Sequence, residues 1–372
     1  MFSLDRRILA HFDFTLLAII LPLIYFSGSL IAEIHPALAQ KHMIYVGVGF
    51  LAFSIIFLMP IRRFLWMIPF FYWMSIILLI MVEFMGVSKL GAQRWLQIPM
   101  TNFTIQPSEF IKPAFILMLG YIISRNAPPL GGYRWKMFFK LSFFILLPFF
   151  LIAKEPDLGT ALVLLLLGYG VLFVIGVYYK IWLTIIGALL LSAPFLYTQL
   201  HDYQKQRIAD FLSKKPSYHV QQSIIAIGSG GMTGKDKEEA TQTQMKFLPI
   251  ASSDFIFAYV VERFGFIGGG ALIMMYAFLI LHLFSINFLS EEDYLLRVVT
   301  LGISFLIFIY MGVNISMTVG LAPVVGVPLP MFSYGGSSFV NFMILFGILE
   351  NLLAFRFNFM YNTPRRKKRS SS

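Results

Sequence analysis

Apolar residues run along this chain in stretches too long for one face of a soluble helix, and polar residues collect at the joints between them. The runs lie near 14 to 34, 43 to 61, 65 to 87, 107 to 125, 138 to 153, 160 to 179, 181 to 199, 255 to 286, 298 to 322 and 336 to 356. A helix needs roughly 20 mostly apolar residues to cross about 30 Å of hydrocarbon. The pattern predicts an all-α polytopic membrane protein with about ten transmembrane helices in one integral-membrane domain, residues 1–372. Two polar segments interrupt it: a long loop, residues 200–254, between the seventh and eighth spans, and a tail, residues 357–372.

Composition agrees, with 58% apolar and 13% charged residues, an excess no soluble fold needs. Ala37-Leu-Ala39 mimics a signal-peptidase site, but the preceding run is too long for a signal core and another follows at once, so a retained helix is expected. The chain has no cysteine, which excludes disulfides, thiolate nucleophiles and thiolate metal sites.

Positive charge sorts by side. With the N-terminus inside, the inner segments collect Arg6, Arg7, Arg62, Arg63, Arg125, Arg134, Lys136, Lys140, Lys180, Arg297, Arg356 and the tail Arg365 to Arg369. The short outer loops hold only Lys41, Lys89, Arg94 and Lys154. The positive-inside rule therefore predicts both termini in the cytoplasm and the long loop outside. The net charge of +11 reports topology and contact with anionic lipid heads. Basic residues scattered over loops give no nucleic-acid footprint.

The outer connections carry the chemistry. They contain Lys89-Leu-Gly-Ala-Gln-Arg94-Trp95, Lys154-Glu-Pro-Asp157-Leu-Gly-Thr160, the long loop, and a Gly- and Pro-rich segment from Ala322 to Ser337. Within the long loop, Tyr203, Arg207, Ile208, Phe211 and Leu212 fall at helical spacing and predict an interfacial segment with Arg207 at phosphate depth. The run Gly228-Ser-Gly-Gly-Met-Thr-Gly-Lys235 invites a phosphate-loop reading. Ser229 stands where that loop's first glycine belongs and Asp236 replaces its hydroxyl residue, so the reading fails. No internal repeat is visible, which weakens an inverted-repeat transporter.

Charges at membrane boundaries are costly and therefore informative. Glu109 and Lys112, at i and i+3 after Pro107, can neutralise each other, either as a packing ion pair or as a substrate contact. Lys154, Glu155 and Asp157 cluster where Pro156 interrupts a helix and Thr160 restarts it, as caps would. Glu262 and Arg263 stand beside Gly265 and Gly268-Gly-Gly270, which predicts a short helix from Asp254 that breaks before the true span. Asp254 itself lies where the polar loop meets an apolar helix. It is either a helix N-cap or a base held in a partly desolvated cavity, with Arg94, Lys112 or Arg207 supplying cations. His219 is expected to pack and not to catalyse.

Taken together these segments resemble the SEDS family (shape, elongation, division and sporulation), nearer its cell-elongation branch than its division branch. The matching stretches are Gly91-Ala-Gln-Arg94-Trp95, Gln106-Pro-Ser-Glu109-Phe-Ile-Lys112, Pro156-Asp-Leu-Gly-Thr160, Tyr203-Gln-Lys-Gln-Arg207, Gln222 to Gly231, Phe247-Leu-Pro249, Asp254-Phe-Ile-Phe257, Val324 to Pro330 and Ser333 to Ser337. The resemblance implies the SEDS fold and a peptidoglycan glycosyltransferase in the bacterial cytoplasmic membrane. Such an enzyme polymerises lipid II during elongation, beside a class B penicillin-binding protein transpeptidase and other elongation-machinery membrane proteins. It further implies Asp254 as the general base for the acceptor hydroxyl, with Arg94, Glu109, Lys112, Lys154, Asp157 and Arg207 contacting substrate. A divalent cation such as Mg is the one cofactor to look for.

The chain departs from the family after Phe247-Leu-Pro249. Ile250 stands for a common Glu, Ser252 for a His and Ser253 for a Thr, and Asp236 ends what is usually Gly-Lys-Gly. Tuning of the base, or metal binding, through those family side chains cannot operate here, and Glu262 remains the one obvious carboxylate near Asp254. Two other roles compete: a lipid II flippase, which intramembrane charge suits equally well, and a noncatalytic scaffold of the elongation machinery. The outer clustering of polar motifs speaks against translocation, which needs determinants at the midplane and inner mouth.

Overall fold

A computed structural model of the chain describes residues 11–89, 92–97, 104–155, 157–199, 205, 218–245, 247, 248, 251–290 and 292–356. Ten helices coincide with the ten apolar runs. They are α1 (Phe14–Ile34), α2 (Pro36–Leu58), α3 (Ile68–Met85), α4 (Pro107–Arg125), α5 (Trp135–Lys154), α6 (Leu158–Ile175), α7 (Tyr179–Thr198), α10 (Ile256–Leu289), α11 (Tyr294–Thr318) and α12 (Gly336–Ala354). Two shorter helices, α8 (Tyr218–Ser229) and α9 (Thr241–Gln244), fold the described part of the long loop. Eight of the ten are long and apolar enough to cross a membrane, counting α3 with the 3₁₀ turn before it. The other two are α4, which carries Glu109 and Lys112, and α7. The chain is a multi-pass membrane protein.

Sequence dictates several joints. Pro36 sits in the first turn of α2, where its missing N–H costs nothing, so the helix starts earlier than the apolar run. Ala37-Leu-Ala39 is thereby inside a continuous helix. Asp157 caps α6 by accepting from Thr160 N at 3.3 Å, the capping expected of that cluster. Three short strands join the helices: β1 (Val87–Lys89) and β2 (Ala92–Gln97) as an antiparallel pair, with β3 (Thr104–Ile105) on the other edge of β2. They hold the Arg94 connection over the start of α4.

At the centre stand α11 and α12, with 67% and 72% of their apolar windows buried, against 17% for α2. The former packs on α4, α6 and α10, the latter along α2. At the bundle end away from Asp254, Arg62 pairs with Asp293, and His282 Nε2 meets Asp13 Oδ2 at 2.5 Å.

The break expected after Asp254 occurs at Gly265, where φ is 66° and ψ −167° within α10. Only glycine enters that region without strain. A Cβ there would also stand 2.3 Å from the Met232 carbonyl. The stub Ile256 to Phe264 is almost wholly buried on the Asp254 side of the break. Ile250, Arg207, the expected interfacial segment around it and the basic tail lie outside the described residues.

Candidate functional site

Asp254 lies in a turn immediately before α10 and is not its N-cap. That position belongs to Phe255, and no side chain caps the helix there. The carboxylate instead receives the Ser253 hydroxyl at 2.8 Å on Oδ1. Its backbone is fixed from distant sequence. Asn314 Nδ2, fully buried on α11, donates to the Asp254 carbonyl at 2.9 Å and to the Val327 carbonyl at 2.7 Å. Ser333 Oγ donates to the Ser253 carbonyl at 2.6 Å, and Tyr334 N to the Ser252 carbonyl at 2.8 Å.

The Gly- and Pro-rich segment from Ala322 to Ser337 is thus the cradle of Asp254. Tyr276 OH pins its Pro330 carbonyl at 2.6 Å, and Ser27 Oγ its Phe332 carbonyl at 2.5 Å. Gly326, at φ 71°, passes so close that a Cβ would sit 3.6 Å from Asp254 Oδ2. Partial burial raises the pKa of Asp254 above the ordinary carboxylate value, and the Ser253 hydroxyl pulls it part of the way back. Among the described residues no cation forms an ion pair with Asp254. Arg94 and Lys112 are committed elsewhere, so the expected tuning by those two does not occur through direct contact.

Lys112 is buried at 1% exposure and donates to Glu109 Oε1 at 2.5 Å and to Tyr310 OH. Sequence reading found the Glu109 pair but not Tyr310. This tyrosine matters because Asn314 follows it by four residues on α11. Tyr310 and Asn314 therefore share one helix face about 6 Å apart along the axis. That face brings the Lys112 cluster and the Asp254 turn together.

A third group completes the same end of the bundle. Arg94 Nη1 stands 3.5 Å from Asp157 Oδ1, and its Nε donates to the Glu155 carbonyl at 3.3 Å. Gln106 Nε2 reaches Asp157 Oδ2 at 3.5 Å. The start of α6 abuts the cradle, since a Cβ on Gly159 would meet the Val325 carbonyl at 2.9 Å. Lys154 stands apart, 68% exposed, 3.4 Å from Glu83.

Glu262 is not a second carboxylate for Asp254. It is fully buried and folds the loop, accepting from Gln242 N at 2.9 Å and Thr243 Oγ1 at 2.7 Å. Its neighbour Arg263 turns the other way, to Glu33 at 2.9 Å, and Glu33 also receives Tyr259 OH at 2.8 Å. His219 stacks on Phe255 with ring centroids 6.3 Å apart, a packing role. Among the described residues no three His, Asp or Glu side chains converge, so they do not fit a protein-built metal site of several carboxylates.

Comparison with known proteins gives one answer. The profile of the family described as "Cell cycle protein", that of FtsW, RodA and SpoVE, matches residues 2–357. The peptidoglycan glycosyltransferase MrdB of Helicobacter pylori is 58% identical over 361 residues, which cover 97% of this chain and 95% of that protein. MrdB of Escherichia coli is 36% identical over 92% of this chain and 93% of its own length. In fold, the chain resembles a component of a peptidoglycan synthase complex described as coordinating polymerization and crosslinking. That likeness has a TM-score of 0.80 at 24% identity over 93% of this chain and 98% of the other. The crystal structure of the Thermus thermophilus rod shape determining protein RodA is similar with a TM-score of 0.70 at 23% identity, over the same shares of the two chains.

Proposed function

Because the chain belongs to the SEDS family of FtsW, RodA and SpoVE, and is a peptidoglycan glycosyltransferase, we propose that it polymerises lipid II with Asp254 as the general base. The observation that carries the role is a carboxylate on a buried, externally fixed backbone, with one hydroxyl partner and, among the described residues, no cation paired to it. Such a group keeps a free oxygen for a substrate proton and is desolvated enough to want it.

In the reaction, the ionised Asp254 takes the proton from the 4-hydroxyl of the acceptor N-acetylglucosamine. That oxygen forms its bond to the anomeric carbon of N-acetylmuramic acid as the bond from that carbon to the diphosphate oxygen breaks. Undecaprenyl diphosphate leaves as an anion, and the proton on Asp254 passes to water. Arg94, partly exposed beside Asp157, supplies positive charge for the leaving diphosphate, while Lys112, neutralised by Glu109, ties α4 to α11 through Tyr310. Ser253 and Asn314 position the base.

The protein works on the outer face of the bacterial cytoplasmic membrane with both termini in the cytoplasm. Its partner is a class B penicillin-binding protein that crosslinks the glycan. The similarity to a component of a polymerising and crosslinking complex supports that pairing.

The test is gel-resolved polymerisation of labelled lipid II by the purified protein with its transpeptidase, comparing wild type with Asp254→Asn. Polymer from wild type and none from a variant of equal thermal stability is the expected result. Normal polymer from Asp254→Asn would remove the base assignment. No polymer from either, with partner binding verified, would return the field to a flippase or scaffold.

A further inference from the structure

Among the described residues, Glu155 is a buried carboxylate beside the site with no part in the reaction as derived from Asp254 and Arg94. It is buried at 5% exposure in the joint between α5 and α6, and neither carboxylate oxygen has a hydrogen-bond partner. A buried carboxylate without partners is expensive in its charged form and, left unpartnered, costly in its neutral one.

Its surroundings explain why it is not ionised. Asp157 on its own joint and Glu83 on α3 add negative charge. Arg94 on β2, the cation that opposes them, spends its guanidinium on the Asp157 carboxylate and on the Glu155 backbone carbonyl. Lys154 points to Glu83. Burial, reinforced by Asp157 and Glu83 and opposed by Arg94, pushes the Glu155 carboxyl up to about 8. It therefore carries its proton at neutral pH.

A neutral carboxyl is a hydrogen-bond donor in search of an acceptor. Beside it are a partly exposed guanidinium and the Gln106 amide, both donors. Three kinds of donor gathered about the joint between α5 and α6 suit a small anion with several acceptor oxygens. Resting on the lipid II reading, we propose that Glu155 is a diphosphate-binding residue that donates its carboxyl proton to a phosphate oxygen of the lipid-linked substrate while Arg94 neutralises the charge.

The proposal makes binding depend on one proton. Loss of that proton replaces a donor with a carboxylate facing the diphosphate, so affinity falls about tenfold for each pH unit above the Glu155 midpoint. The experiment measures undecaprenyl diphosphate binding to the detergent-solubilised full chain between pH 7 and 9.5, in EDTA, for wild type, Glu155→Gln and Glu155→Ala. Wild type should weaken with unit slope over the alkaline range. Glu155→Gln keeps a donor that cannot ionise, so its curve should be flat there, and Glu155→Ala should bind at least about tenfold more weakly than wild type at pH 7.

Parallel pH curves for wild type and Glu155→Gln would overturn the proposal, because every other titrating group is common to both. So would a wild-type curve that does not fall. Should Glu155→Ala fail to fold, the wild-type and Glu155→Gln curves decide alone. Polymerisation of lipid II by the same wild-type preparation separates the two failures: polymer with parallel binding curves condemns only the role of Glu155.

Discussion

Replacing Asn314 by Leu, which keeps the branched four-atom side-chain skeleton but has no donor, should uncouple Asp254 from the bundle. Asn314 makes two buried bonds, 2.9 Å to the Asp254 carbonyl and 2.7 Å to the Val327 carbonyl. Each carbonyl left unpaired costs about 1–3 kcal/mol. The variant also removes Asn314 Oδ1, a buried oxygen that has no partner, which returns roughly 1 kcal/mol. The net loss is about 1–5 kcal/mol, or a fall of roughly 2–10 °C in thermal midpoint at roughly 2 °C per kcal/mol for a chain this long.

The rate should suffer more than this figure suggests. Both bonded carbonyls belong to the turn and cradle around the base, so the carboxylate itself shifts. A displacement near 1 Å costs on the order of 10²-fold in rate. Melting in detergent by intrinsic fluorescence, with polymerisation kinetics resolved into kcat and KM, tests both parts. The expected pattern is a lower midpoint and a large fall in kcat with KM little changed. A variant within about a degree of wild type at full rate would refute the idea that α11 positions the base.

Ser253→Ala removes the hydroxyl that stabilises ionised Asp254. The folded-state pKa then rises further, and because only the ionised base accepts a proton, the acid limb of kcat/KM should move to higher pH. An unmoved limb would place Ser253 outside the tuning of the base. Glu109→Ala leaves Lys112 buried with Tyr310 alone, a loss of about 3–5 kcal/mol for a broken buried pair. Both thermal midpoint and activity should fall, whereas lost activity at an unchanged midpoint would make Glu109 a substrate contact only.

How much of this was legible in the chain depended on whether the signal was local. The ten long helices were readable because apolar run length is a property of consecutive residues, and the break at Gly265 because glycine and charge meet there. Asp254, Glu109, Lys112, Arg94 and Asp157 stood out as charges at membrane boundaries. The partner of Lys112 and the anchor of Asp254 did not, since Tyr310 and Asn314 act through pairings across 198 and 60 residues. A lone amide inside an apolar span was the available clue to Asn314. The role of Glu262 was misjudged for the same reason. Its partners, Gln242 and Thr243, lie about twenty residues back in a loop whose shape no local pattern gives.

The three hydrogen bonds that fix the turn before α10 all come from residues made later, on α11 and in the segment before α12. During synthesis the aspartate therefore emerges well before anything exists to hold it. A ribosome-bound chain, or a fragment cut after the eighth span, would carry the base but could not aim it. Assembly of the last two spans is in effect the arming step, and a half-inserted molecule cannot begin building wall.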